Sequence, residues 1–123
     1  MTDDTATIGR RMYAAFNARD LAAARTLFTP DFVSHPLGTT GPDAVTRSWS
    51  RMISAYPDLR VVVEDMLVDH EGTRVAVRTS LHGLPEDVVA PEQPAPEMLE
   101  IFRVDAGRIA ELWGLSTLTR PAP

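Results

Sequence analysis

Apolar residues along this chain recur first at a helical period and then at a strand period, and the change divides it into two halves. Between about Thr5 and Ala18, Ile8, Met12, Ala15 and Phe16 share one helical face, with Tyr13 beside them and Thr5 or Thr7 placed to cap the start. Asp20 can cap a second, shorter helix through Phe28, with Leu21, Ala24, Leu27 and Phe28 on its buried side. Thr29-Pro30-Asp31 stops that helix. Phe32 to His35 is then a short extended segment, ended by Pro36 and the turn Gly38-Thr39-Thr40-Gly41. Pro42 suits the first position of a third helix, and Asp43 complements its dipole. Val45, Trp49, Met52, Ile53 and Tyr56 give it a wide apolar face, which Pro57 closes.

The second half alternates. Leu59 to Val68 and Arg74 to Gly83 read as long strands around the polar turn Asp69 to Thr73. Glu97 to Leu118 reads as another pair, joined at Asp105-Ala106-Gly107. In its first strand Met98, Glu100, Phe102 and Val104 share a face, so Glu100 breaks an otherwise apolar row. Between the pairs, Gly83 to Pro96 is too proline-rich for a ladder strand and is either a lid or a surface excursion. The tail from Thr119 reads as frayed. Three helices followed by such strands call for one α+β domain over residues 1–123. Its helices would cover a strongly curved, mostly antiparallel sheet, and the cone so formed would hold an internal pocket.

Composition then removes chemistries. The 123 residues contain no cysteine, which excludes disulfides, thiolate nucleophiles and cysteine metal sites. All twelve basic residues are arginine, so no lysine can form a Schiff base. The net charge of −5 and the scatter of the arginines disfavour nucleic acid. No apolar run reaches membrane-spanning length and none looks like a signal peptide, so no membrane partner and a cytoplasmic location are expected. His35, His70 and His82 lack ligand spacing, and no metal is expected.

Four stretches carry a resemblance: YAAFNARDLAAARTLFTPDFVSH, PDLRVVVEDM, RVAVR and IFRVDAGRIAELWG. Together they resemble the SnoaL-like polyketide cyclase family, in the nuclear-transport-factor-like cone superfamily with ketosteroid isomerase and limonene epoxide hydrolase. The resemblance implies a cofactor-free acid-base enzyme acting on a hydrophobic polyketide- or terpenoid-like molecule by cyclisation or isomerisation. It also implies an aspartate where this chain has Gly114, after Leu112-Trp113. The hydrolase pattern keeps only Arg78 of its Arg-x-Asp, so epoxide hydrolysis is disfavoured. Val33-Ser34-His35-Pro36-Leu37-Gly38 resembles the context of the isomerase base and puts His35 in that role. Glu100 takes the place of the isomerase's protonated oxyanion-hole acid. The tyrosine partner falls at Met12, with Tyr13 about 100° further round the helix.

The candidates are therefore His35 as base, with Glu100 or Arg78 stabilising an oxyanion. Glu100 is either desolvated and protonated or paired with Arg78. Arg78, Ser80 and His82 share one strand face and would line the pocket if that face is concave. Tyr13, Trp49, Met98, Phe102, Leu112 and Gly114 complete the expected binding residues, although large aromatics more often serve as core or dimer anchors. Apolar positions on the convex face point to a homodimer through the sheet. A ligand-binding or dimerisation module without catalysis is the competing reading, and Gly114 favours it.

Overall fold

A computed structural model describes residues 4–118. Helices α1 (Thr5–Asn17) and α2 (Leu21–Thr26) lead into strand β1 (Phe28–Ser34) and the short β2 (Thr39–Thr40), followed by α3 (Pro42–Ala55). Strands β3 (Arg60–Val68), β4 (Arg74–His82), β5 (Glu97–Asp105) and β6 (Arg108–Ser116) complete one six-stranded sheet in the order β2-β1-β6-β5-β4-β3. The architecture is the expected α+β one.

Local chemistry sets the element ends. Asp4 accepts the Thr7 amide and Asp20 the Ala23 amide, which satisfies orphan donors at the starts of α1 and α2. Pro42 opens α3, and the Asp43 carboxylate in its first turn meets Arg25 at 2.8 Å. The β5–β6 turn has positive φ at both central residues, Ala106 (50°) and Gly107 (80°), the twist that two-residue hairpins need.

Three expectations change, the first being that Asp4 rather than Thr5 or Thr7 caps α1. The second helix stops at Thr26, because Phe28 instead enters β1 and pairs in parallel with Ile109 of β6. The Ile109 amide donates to the Leu27 carbonyl, so the sheet claims backbone that the periodicity assigned to the helix. Thr39 and Thr40, read as a turn, pair with Ser34 and Val33 as β2. The tail beyond Leu118 lies outside the described residues.

The core lies between the helices and one sheet face. Ile8, Met12 and Phe16 of α1 meet Phe28 and Phe32 of β1, Val75 and Val77 of β4, Phe102 of β5 and Ile109 of β6. Gly9 lets α1 come close, since a Cβ there would lie 2.6 Å from the Phe102 ring. The loop after Gly83 is anchored by Leu84 and Val88, which pack on this core, and by turns in which Val88 and Val89 amides donate to the Pro85 carbonyl. Among the described residues no helix is long and apolar enough to cross a membrane.

Candidate active site

Strand alternation decides which residues can meet inside. On β4, Val75, Val77, Thr79 and Leu81 are buried and face the helices. On β5 the inward set is Met98, Glu100, Phe102 and Val104, and on β6 it includes Leu112 and Gly114, which pair with Phe102 and Glu100. Helix α1 turns Met12, Tyr13 and Phe16 toward that face, and α3 turns Val45, Ser48, Trp49 and Met52.

These walls line a cavity of about 110 Å³, to which Phe28, Leu59, Val61, Leu81, Met98, Glu100 and Leu112 also contribute. Its lining is hydrocarbon, thioether and aromatic, except for the Tyr13 hydroxyl, the Glu100 carboxyl and the Ser48 hydroxyl. Trp49 is held edge-on by Phe16 at 5.3 Å and Phe28 at 6.2 Å between ring centroids.

Inside, the Tyr13 hydroxyl donates to Glu100 Oε1 at 2.9 Å. Among the described residues Tyr13 is the hydrogen-bond partner of that carboxyl. Glu100 as a residue is partly exposed and also borders a groove on the outer face, yet its carboxyl is desolvated. Burial pushes the carboxyl above the usual glutamate range, and the Tyr13 hydrogen bond offsets only part of that. Burial also raises the Tyr13 phenol, and the neighbouring Glu100 charge raises it further. The phenol therefore keeps its proton and is available as a donor. An acid with a raised pKa beside a fixed neutral donor can accept a proton, return it and hold an oxyanion.

The structure places several candidates elsewhere. His35 follows the buried Ser34 and so points outward, with its side chain 43% exposed. It stacks on Trp113 at 4.8 Å and 6° between planes, and its Nε2 lies 2.7 Å from Glu111 Oε2. Arg103 Nε donates to Glu111 Oε1 at 3.1 Å. The His35 and Arg103 contacts hold the Glu111 carboxyl below its ordinary range.

Arg78, Ser80 and His82 also face outward, because Val75, Val77 and Leu81 occupy the inner face of the same strand. Arg78 binds Asp65 through Nε and Glu97 through a terminal nitrogen, both at 2.7 Å, and so cannot partner Glu100 across the sheet. Ser80 Oγ lies 2.7 Å from Glu64 Oε1 and 2.8 Å from His82 Nε2. Phe102 is fully buried core, outside the cavity lining. Gly114 does not border the cavity either, but lies against Glu100. Tyr13, Trp49, Met98, Leu112 and Glu100 are brought together as expected, and Tyr13 rather than Met12 supplies the hydroxyl.

Sequence reasoning missed Ser48, although its place beside Trp49 on the apolar face of α3 could have signalled it. The outward set was also legible, since Val75, Val77 and Leu81 form the more apolar row of β4. No group of three or more histidine, cysteine or acidic side chains capable of holding a metal occurs among the described residues.

Such an apolar cavity with one ionisable pair, between helices α1 and α3 and a curved sheet, belongs to a cone of the α+β class. The chain belongs to the SnoaL-like family, whose domain model matches residues 9–112. It is similar to wild-type IdmH from Streptomyces antibioticus, described as a candidate polyketide cyclase, at 27% identity and a TM-score of 0.77 over 91% of each chain. It is also similar to a candidate polyketide cyclase from Bacillus cereus, at 24% identity and a TM-score of 0.75 over 89% of this chain and 72% of that one. A candidate ketosteroid isomerase from Kribbella flavida aligns over 100% of this chain and 86% of its own, at 20% identity and a TM-score of 0.73. The last two likenesses speak to the fold alone. No match was found among curated proteins.

Proposed function

We propose that this protein is a cofactor-free proton-transfer enzyme, a cyclase or isomerase of a hydrophobic carbonyl compound, with Glu100 as the proton-accepting and proton-returning group. The observation that carries this reading is the Tyr13–Glu100 pair in an otherwise apolar cavity. Glu100 in its carboxylate form removes a proton from the carbon next to the carbonyl. As Glu100 takes up that proton, the Tyr13 hydroxyl gives up its bond to the carboxyl and donates its one hydrogen bond to the enolate oxygen that develops, and Glu100 then returns the proton to carbon or oxygen. His35 has no part in these steps, since it stacks on the outer face.

Size narrows the substrate. An apolar cavity of about 150 Å³ holds one benzene, so about 110 Å³ takes only a small ring or the reacting end of a longer molecule. Ser48, Trp49, Met52 and Met98 are half-buried and form the rim against which the remainder would lie.

Cyclopentanone is small enough to serve as a probe. Deuterium entry at its α-carbon in heavy water, followed by proton NMR, should be faster with the wild-type protein and return to background with Glu100→Gln. Exchange no faster than in buffer would sink the enzyme reading in favour of a binding module.

We also propose that the outer face pairs with a second copy of this chain. Leu67, Ala76, Ile101 and Trp113 lie in register across four strands, and Leu67, Leu99 and Leu115 are 72%, 59% and 80% exposed. The charged side chains flanking this row are paired within the chain, Asp65 and Glu97 with Arg78 and Glu111 with Arg103. The apolar row between them is the part of the face left for a second copy to cover. Sedimentation should show a dimer that Leu115→Glu converts to monomer, and a monomeric wild type at micromolar concentration would refute the pairing.

A further inference from the structure

The position opposite Glu100 on β6 is Gly114, and the two are direct cross-strand partners. Side chains of such partners lie on the same face a few ångströms apart, so whatever occupies position 114 shares space with the Glu100 side chain. A Cβ built on Gly114 would lie 3.1 Å from Glu100 Cγ, 3.5 Å from its Oε2 and 3.4 Å from the Leu99 carbonyl oxygen. The first distance is tighter than ordinary carbon contact. Gly114 is not among the positive-φ glycines, so its backbone does not require glycine. Glycine inside a strand also weakens the strand. Neither the conformation nor the stability of β6 explains the residue.

We propose that Gly114 is a positioning residue, whose missing side chain gives the Glu100 carboxyl the room it needs to meet Tyr13. Any side chain at 114 pushes on Glu100 Cγ, the atom that sets where the carboxyl ends. Since the Tyr13 bond is made by Oε1 at 2.9 Å, a displacement of a few tenths of an ångström lengthens it. The inference concerns the reach of Glu100 and rests on the proton-transfer reading only for its effect on turnover. It also gives Gly114 a purpose that a silent binding module would not require.

The test is Gly114→Ala in the full chain, with the Glu100 side-chain carboxyl followed by carbon-13 NMR as pH is varied. The expected result is a Glu100 titration midpoint displaced upward, because the Tyr13 hydroxyl is the partner that holds it down. Cyclopentanone exchange should fall roughly tenfold or more, as misplacement of a reacting group does. A glycine with no positioning role would move neither quantity, and replacing it with alanine would then raise the thermal midpoint. An unmoved Glu100 midpoint overturns the proposal, whatever the exchange rate does. Should Gly114→Ala lower stability, the same substitution in a Glu100→Ala background decides the cause. Disappearance of the loss supports the clash with Glu100, and its persistence assigns the clash to the Leu99 carbonyl and overturns the proposal. Wild-type protein without exchange activity would refute the enzyme reading alone, since the titration still reports on Gly114.

Discussion

Glu100 and Glu111 stand on the two strands of one hairpin, yet the fold gives them opposite chemistry. Glu100 faces the helices, has one neutral partner and is pushed toward its protonated form by burial. Glu111 faces outward, lies between His35 and Arg103 and is held toward its charged form. Strand alternation alone separates them. The difference teaches that on this scaffold the face of the sheet decides which of two identical carboxyls is pushed toward its protonated form and which toward its charged form.

The comparison breaks most visibly in catalysis. Glu100→Gln should slow cyclopentanone exchange by about 10²–10⁴-fold, the usual contribution of a positioned acid-base group, whereas Glu111→Gln should leave it unchanged. Equal losses would mean that the two faces are not chemically distinct. Tyr13→Phe comes next. Loss of one oxyanion donor should cost roughly 10²–10³ in rate, and leaving the carboxyl without a partner should cost about 1–3 kcal/mol of stability in denaturant melts. An unaffected rate would remove Tyr13 from the mechanism.

The pH dependence of stability sharpens the contrast with a smaller effect. The folded-state pKa of Glu100 is raised, so the folded form keeps a proton that the unfolded chain gives up. Its contribution is fully present below the unfolded glutamate pKa and is lost as pH rises through the folded value. Glu111 has the opposite sign, with stability present above the unfolded pKa and lost as pH falls through its lowered value. Thermal midpoints of Glu100→Gln should therefore gain on wild type as pH rises, and those of Glu111→Gln should converge with wild type in acid. Parallel curves for the two variants would contradict the assignment.

His35→Ala should change least. The ring is exposed and its contact with Glu111 lies at the surface, so exchange should be unaltered and melting little changed. A large loss of exchange would return His35 to the reaction.

How much of this was legible depended on whether a signal was local. The helical faces of α1 and α3, the two hairpins and the odd glutamate at position 100 all follow from spacing within one element. The end of α2 was not legible, because Phe28 is claimed by a parallel partner in β6, far away in sequence. His35 misled for a related reason. Its context resembles that of a catalytic base, but the buried Ser34 beside it takes the inward position and sends the imidazole to Trp113. Arg78 was readable as an ion-pairing residue, but which acids it meets depends on the pairing of β4 with β3 and β5. The Tyr13–Glu100 bond was half visible. Tyr13 lay near the expected hydroxyl position, and only the packed angle of α1 against β5 shows that its side chain reaches.

The central claim is that Glu100 is the poised carboxyl of this protein, and carbon-13 NMR titration of the glutamate side chains tests it most directly. Assigned by Glu100→Gln and Glu111→Gln, the two signals can be followed in one sample. The Glu100 midpoint should lie clearly above that of an ordinary glutamate and the Glu111 midpoint below it. A Glu100 midpoint at or beneath the ordinary value would contradict the account.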